Sequence, residues 1–431
     1  MDGLCDAVCD GSVERTIALL SQGPIDIDGV DREGLTPLIC AAIHDHAPVA
    51  RILINRGAGV STPSTMGLTA LLASAHHGHA GVAEVLIKAG ADVELTDTTG
   101  GPTPMIVAAI GGHWQVMRAL AKAGANVNSG CAEWEHRPPL LMAAEGGHVN
   151  AVRELLRAKA NPLLDWTDQE TGASWLPLDV AALNGHSEVV NEMVRQVGIE
   201  SCGGVSGGVH ALVAAVERNN LDIVAILTDA GVVDTGLALA QAARYGNEAS
   251  VKILLKQHQQ QQQKQKGGRS TGRDAYVNTH SRGATPLLRI ILYCRPCSPK
   301  MVRLLVDAGA DTTSAVPMTR GSGSEVQMIR TPLSLTNFFL VSKTAGGRDA
   351  TEQQLNALKA IRRLLLQVEA VHAVSWLWHS RAPVVGHAAA ERARRTTTPS
   401  TPLTLMMPIL RRRAARRGVL FAALYRQSSK P

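Results

Sequence analysis

The sequence predicts an all-α solenoid of stacked helix pairs, about nine to ten units long, with degenerate last units. Three observations carry this. A short apolar signal recurs at a nearly fixed interval along most of the 431 residues. Aromatic residues are only 3% of a chain that is 45% hydrophobic, so the core is built from Ala, Leu, Val and Ile at close spacing, which suits helix against helix better than a sandwich. Between the signals lie paired alanines, Gly–His turns and Gly–Ala stops at constant offsets, the punctuation of helix–turn–helix units.

The interval is set by the triplets TPL at Thr36, TAL at Thr69, TPM at Thr103, PPL at Pro138, LPL at Leu176, HAL at His210, LAL at Leu237, and TPL at Thr285 and Thr331. Successive signals are 33, 34, 35, 38, 34, 27, 48 and 46 residues apart. Thr is suited to cap the first helix of each unit, with Pro at the first helical position, where a missing N–H costs nothing. Paired alanines allow close helix approach, and Gly with His makes the turn between helices. Gly57, Gly90, Gly124, Gly231 and Gly309 follow the second helix, where a left-handed residue is wanted.

With T-P-L, A-A, G-H, V-V, L-L and G-A at fixed offsets, residues 1–311 resemble the ankyrin repeat, a hairpin followed by two antiparallel helices. The likeness is clearest in five consecutive units over 35–200. It implies an ankyrin-repeat solenoid that binds other proteins through its hairpin tips and concave helix face, without catalysis. "LCDAVCDGSVERTIALLSQG" matches the two helices without the leading TPL and reads as an N-terminal capping unit. The family's histidine after T-P-L is replaced by Ile39, Leu72, Ile106, Leu141, Asp179, Val213, Ala240 and Leu288, so packing must substitute for its hydrogen bond.

The unit from His210 is short, which calls for a tight turn around Gly231 to Gly236. The next is interrupted by a glutamine run, and residues 257–283 are expected to be a disordered Gln/Gly-rich loop. Cys294 and Cys297, in the unit at Thr285, have the spacing of a redox or metal pair but lack a second pair or a preceding strand. Residues 312–380 read as a degenerate repeat and a capping helix, with Leu355, Leu358, Ile361, Leu365 and Val368 at helical spacing. Residues 381–431 are a basic tail: eleven Lys or Arg against Glu391 alone, which leaves the body acidic by about four charges.

His44, His76 and His77 cluster near the first inter-helix turns, while His79 shares a turn position with His46, His113, His148 and His186. The latter set is structural, since a ring nitrogen there can satisfy turn backbone. A metal or pH-sensing patch on the former lacks a Cys or carboxylate to complete it, so no metal and no cofactor are expected. Catalytic signatures such as GxGxxG after a strand, GxxxxGK[ST] and HExxH are absent from the sequence, and the expectation is a scaffold or adaptor and not an enzyme.

Two hairpins exceed the repeat length, at Ser129 to Pro139 and Leu164 to Pro177. They carry Glu133, Trp134 and Glu135, then Asp165, Trp166, Asp168, Glu170 and Trp175. Indoles are enriched at binding hot spots, so these residues are the candidate partner site: an acidic, aromatic lip for a basic or extended peptide segment. Indoles packed against neighbouring hairpins are the alternative. The tail offers a competing route, association with nucleic acid or an anionic membrane surface. The N-terminal segment lacks the pattern of a signal peptide, and seven irregularly spaced cysteines read as free thiols; both point to the cytoplasm or nucleus.

Overall fold

The computed structural model describes residues 2–22, 25–96, 100–130, 136–167, 172–203, 208–234, 236–264, 276–279, 284–293, 298–313, 316–318, 328–344 and 352–379. Residues 1–366 form one compact unit. Its helix pairs are α1 (Asp2–Cys9) with α2 (Val13–Ser21), α3 (Pro37–Ile43) with α4 (Ala47–Asn55), α5 (Ala70–His77) with α6 (Ala80–Lys88), and α7 (Pro104–Ile110) with α8 (Trp114–Lys122). There follow α9 (Pro139–Glu145) with α10 (Val149–Arg157), strands β1 (Trp166–Thr167) and β2 (Ser174–Trp175), α11 (Pro177–Asn184) with α12 (Ser187–Val197), and the short α13 (Ile199–Gly203). The array continues through α14 (Val209–Glu217) with α15 (Leu221–Asp229), α16 (Leu237–Tyr245) with α17 (Glu248–Lys264), and α18 (Pro286–Tyr293) with α19 (Pro299–Asp307).

First helices pack on first helices, α3 on α5, α5 on α7, and so on to α16 on α18; second helices do the same from α2 on α4 to α15 on α17. The predicted solenoid is therefore two rows deep. Its core is the seam between the rows, filled by residues such as Leu38, Leu71, Met105, Leu140 and Leu178 from the first helices and Leu53, Leu86, Leu120 and Leu155 from the second. The paired alanines sit in this seam with no accessible surface, among them Ala41, Ala42, Ala108, Ala109, Ala181 and Ala182. A unit alone would leave that face wet; stacking buries it continuously.

Local capping follows the sequence reading. Thr36, Thr69 and Thr285 accept from the backbone N–H three residues on, whereas Thr103 approaches Ser129 instead. The positions that replace the family histidine pack inward: Ile39, Ile106, Ala240 and Leu288 are fully buried and Leu72 and Leu141 nearly so. Asp179 is the polar exception. It is buried, which pushes its carboxyl up, and it accepts the Leu176 N–H at 3.2 Å. Where the unit at Leu237 lacks a Thr cap, buried Asp234 takes the role, accepting from the N–H groups of Gly236, Ala238 and Leu239.

The turn histidines do more than brace their own turns. The Nε2 of His46, His79, His113, His148 and His186 lies 2.9–3.0 Å from the carbonyls of Cys9, Ile43, His76, Ile110 and Glu145 respectively. Because a carbonyl can only accept, each Nε2 carries the proton and donates it. Each acceptor is an orphan carbonyl at the end of the preceding unit's first helix. Space for the ring is made by glycine: a Cβ on Gly11, Gly78, Gly112 or Gly147 would come within 2.3–2.7 Å of the next unit's imidazole. Further along, Asn220 and Asn247 take over, donating to the carbonyls of Gly185 and Val216.

Some expectations differ from what is observed. The loop expected over 257–283 is helical over 257–264 as the end of α17, since glutamine is a competent helix former and Gln257 donates to the carbonyls of Thr228 and Val232. Past the run, Tyr276 is buried, stacks on His258 with centroids 4.0 Å apart and donates to Asp234 at 3.0 Å. Residues 265–275 and 280–283 lie outside the described residues. Two short ribbons also interrupt the helices, β1–β2 and the pair β3 (Val316–Met318) and β4 (Met328–Arg330). After them come α20 (Pro332–Thr344) and α21 (Glu352–His379), and Leu358, Ile361 and Leu365 are buried as expected of a capping helix. The second compact unit, residues 367–431, holds the remainder of α21; the tail from 380 lies outside the described residues. Among the described residues no helix is long and apolar enough to cross a membrane.

Two outcomes follow for stability. Gly112→Ala sets a Cβ 2.5 Å from His148 Nδ1 at a backbone φ of +69° and should cost about 2–4 kcal/mol. Adding His148→Ala should recover more than about 1 kcal/mol in a denaturant double-mutant cycle, and strict additivity would refute the steric pairing of glycine and histidine. Lys159 is exposed and holds a φ of +63° where the other units place glycine. Lys159→Gly should therefore raise the denaturation midpoint, worth about 0.5–1 kcal/mol after the entropic cost of glycine.

Candidate functional site

The extended hairpin after α10 forms a small antiparallel ribbon in which Trp166 stands opposite Trp175 and Thr167 opposite Ser174. Directly opposed side chains share a face, so the two half-buried indoles are neighbours. Asp165 is exposed at the ribbon's base and accepts from Ser174 Oγ. One face of Trp166 is covered within the chain, with the Arg137 guanidinium 3.9 Å above the ring, and Arg137 also reaches Glu145 Oε2 at 3.1 Å. The Trp166 Nε1–H is buried and meets no acceptor among the described residues. Of the expected lip, the structure thus brings Asp165, Trp166 and Trp175 together. Glu133, Trp134, Glu135, Asp168 and Glu170 lie outside the described residues, as do Cys294 and Cys297.

The second-helix row carries an arrangement the sequence reading missed. Glu154 on α10 is almost buried and receives Arg118 of α8 through both Nε and Nη2, at 2.9 and 2.7 Å, with Arg157 adding a third bond at 2.9 Å. One unit on, buried Glu192 of α12 receives Arg153 at 2.8 Å and Arg195 at 2.9 Å, with Gln196 at 2.6 Å. Four guanidinium groups thus surround two carboxylates, an excess of positive charge. They line a groove of about 270 Å³ together with Trp114 and Asn150, and Arg118 lies 4.7 Å over the Trp114 ring. Guanidinium donors beyond those committed to glutamate suit carboxylates or phosphates. The signal was present in the repeat register, because Arg118 and Arg153 hold the same place in successive units, as do Glu154 and Glu192.

The clustered histidines make ring contacts with one another. His76 and His77 meet edge-on, with centroids 4.8 Å apart, and His77 stacks on His79 at 5.7 Å. Burial, then the neighbouring imidazoles, push the His77 pKa below its usual value. Among the described residues, the trio whose donor atoms lie within metal-binding range is not these histidines but Cys5, Asp31 and Cys40.

The ion ladder has a pH signature. Arg153 first, then Arg195, hold the Glu192 carboxyl down at about 2. A carboxyl depressed in the folded state contributes stability above its unfolded value, about 4.3, and that contribution is lost as pH falls through the folded value. The thermal midpoint should therefore drop between roughly pH 4.5 and 2. Glu192→Gln should cost about 1–2 kcal/mol at neutral pH, discounted for the partial exposure of its arginines, and should flatten the acid limb measured by calorimetry.

Comparison with known proteins agrees with the architecture. The family described as "Ankyrin repeats (3 copies)" matches residues 4–97, 91–165 and 178–266. No curated protein matches the chain. With more than half of its length matched and two rows of stacked helices linked unit to unit, the chain belongs to the ankyrin-repeat family.

Proposed function

We propose that this protein is a non-catalytic scaffold or adaptor of the cytoplasm or nucleus, which recognises a partner protein through its hairpin tips. Ankyrin repeats are in general protein-interaction modules, and stacked repeats offer an extended surface to a partner. The observation that carries the choice of site is the Trp166–Trp175 ribbon, where two indoles share a face on a hairpin longer than the repeat requires. A Trp pair flanked by the exposed Asp165 suits a basic or extended peptide segment. Glu133, Trp134, Glu135, Asp168 and Glu170 belong to the same two hairpins in sequence and complete the proposed lip.

A second reading rests on the groove of Arg118, Arg153, Arg157 and Arg195, whose excess positive charge suits an acidic partner segment. The basic tail, with eleven Lys or Arg, supports a third, nucleic acid or an anionic membrane. Affinity capture separates them with full-length protein, residues 1–380, a variant with Trp134, Trp166 and Trp175 changed to Ala, and one with Arg157 and Arg195 changed to Ala, each checked by circular dichroism. The expected outcome is that the truncation keeps its protein partners and the Trp variant loses them. Loss only in the Arg variant would move the contact to the groove, and loss with the tail, coupled to recovery of nucleic acid or lipid, would overturn the reading.

A further inference from the structure

Two thiols and a carboxylate converge between the first two units, with a third thiol one helical turn away. Cys5 and Cys9 are four residues apart on α1 and so share a face. Cys40 comes from α3, and Asp31 from the loop that leads into it. The Cys5 and Cys40 sulfurs and an Asp31 carboxylate oxygen all lie within 4.8 Å of one another. Cys9, half-buried, lies one helical turn beyond Cys5 on the same face of α1. Cys5 and Cys40 are 3% and 1% exposed.

Asp31 is held in a way that aims it. Its Oδ1 accepts the backbone N–H groups of Glu33 and Leu35, both at 2.9 Å. Its Oδ2 is left facing Cys40 Sγ at 3.7 Å. A thiol is a weak donor, so this oxygen of the half-buried Asp31 keeps its capacity for a stronger partner. Soft sulfur ligands with one hard oxygen at the corners of a compact cluster are what a four-coordinate zinc ion takes.

We propose that Cys5, Cys9, Asp31 and Cys40 form a binding site for one thiophilic divalent cation, zinc being the ion the donor set fits best. With zinc–sulfur bonds of about 2.3 Å the edge of a tetrahedron is about 3.8 Å, so Cys5, Asp31 and Cys40 draw in by at most roughly 1 Å, and Cys9 joins them by rotation of its side chain. Binding releases the thiol protons to solvent as the sulfurs become thiolate ligands, so affinity falls as pH falls. The ion ties α1 to α3, and hence the capping unit to the array. It is independent of the partner surface proposed above.

The test uses the full chain with Cys294→Ser and Cys297→Ser, which removes the other closely spaced thiol pair. Reduced protein is titrated with Co²⁺ and followed in the near-ultraviolet and visible. One equivalent should produce a thiolate-to-cobalt charge-transfer band with the visible bands of a tetrahedral ion, and Zn²⁺ should bleach them. Zinc should also raise the thermal midpoint of the unsubstituted protein, a readout that needs no variant. Cys40→Ser should abolish the band, and Asp31→Asn should weaken binding at least about tenfold. Should Cys40→Ser fail to fold by circular dichroism, the half-buried Cys9→Ser takes its place. No band at one equivalent, a band that survives loss of Cys40 or Cys9, or no zinc-dependent change in the midpoint would overturn the site, as would a Cys5–Cys40 disulfide found by mass spectrometry in protein purified without reductant.

Discussion

The array depends on how a helix ends. Each first helix leaves carbonyls without intrahelical partners, and a carbonyl buried against the next unit without a donor would be costly. The imidazole Nε2–H of the following unit supplies that donor at 2.9–3.0 Å, five times in succession. The same histidine occupies the cap position of its own second helix, so one residue fixes both the turn within a unit and the stacking between units. Glycine is its counterpart at four of these turns, where a Cβ would come within 2.3–2.7 Å of the ring. The departure from glycine at Asp45 is informative. It takes a φ of +61°, and its carboxylate lies 3.8 Å from His79 Nδ1, replacing space with a polar contact to the nitrogen that the carbonyl bond leaves over.

A second set of ties runs along the loops. Asp28 accepts the Gly59 N–H, Glu94 that of Asn126, Asn128 that of Asn161, and Asn278 that of Asp311. Every one spans close to one repeat, so the stacking is held at both the turn edge and the loop edge, and the hairpins can lengthen between ties without disturbing the core. That is why the two long hairpins, and not the helices, carry the proposed partner contacts. The ribbon at Trp166 and Trp175 is tethered from below by Arg137 and Glu145, which presents the indoles on a fixed base.

The fold was legible because each unit repeats the same solution: caps, alanine pairs, turn histidine and terminal glycine all read at constant offsets. The target of the histidine was not legible, since a single unit gives no sign that the acceptor belongs to its predecessor. Lys159 and Asp45 look like ordinary substitutions until their positive φ is seen. The ion ladder is written in pairs 36 to 39 residues apart, close to but not equal to the repeat, so it appears only when helices from successive units are superposed. The glutamine run misled for the opposite reason: its composition has no core to offer, yet its first residues extend a helix already formed and need only propagate it.

The ends of a solenoid pose a problem its middle does not. An internal unit is stabilised by two interfaces and a terminal one by a single interface. At the C-terminal end of the described array this is met by area, with Leu358, Ile361 and Leu365 of α21 buried and the latter two part of the continuous core. The first described unit lacks the Thr–Pro start, and its first helix is eight residues long, too short to persist alone. Its attachment rests on Leu4, Cys5 and Val8 in the seam and on His46 bound to the Cys9 carbonyl. A cluster of Cys5, Cys9, Asp31 and Cys40 falls where it adds one more link between the first described unit and the second, beside the seam contacts of Leu4 and Val8 and the bond from His46.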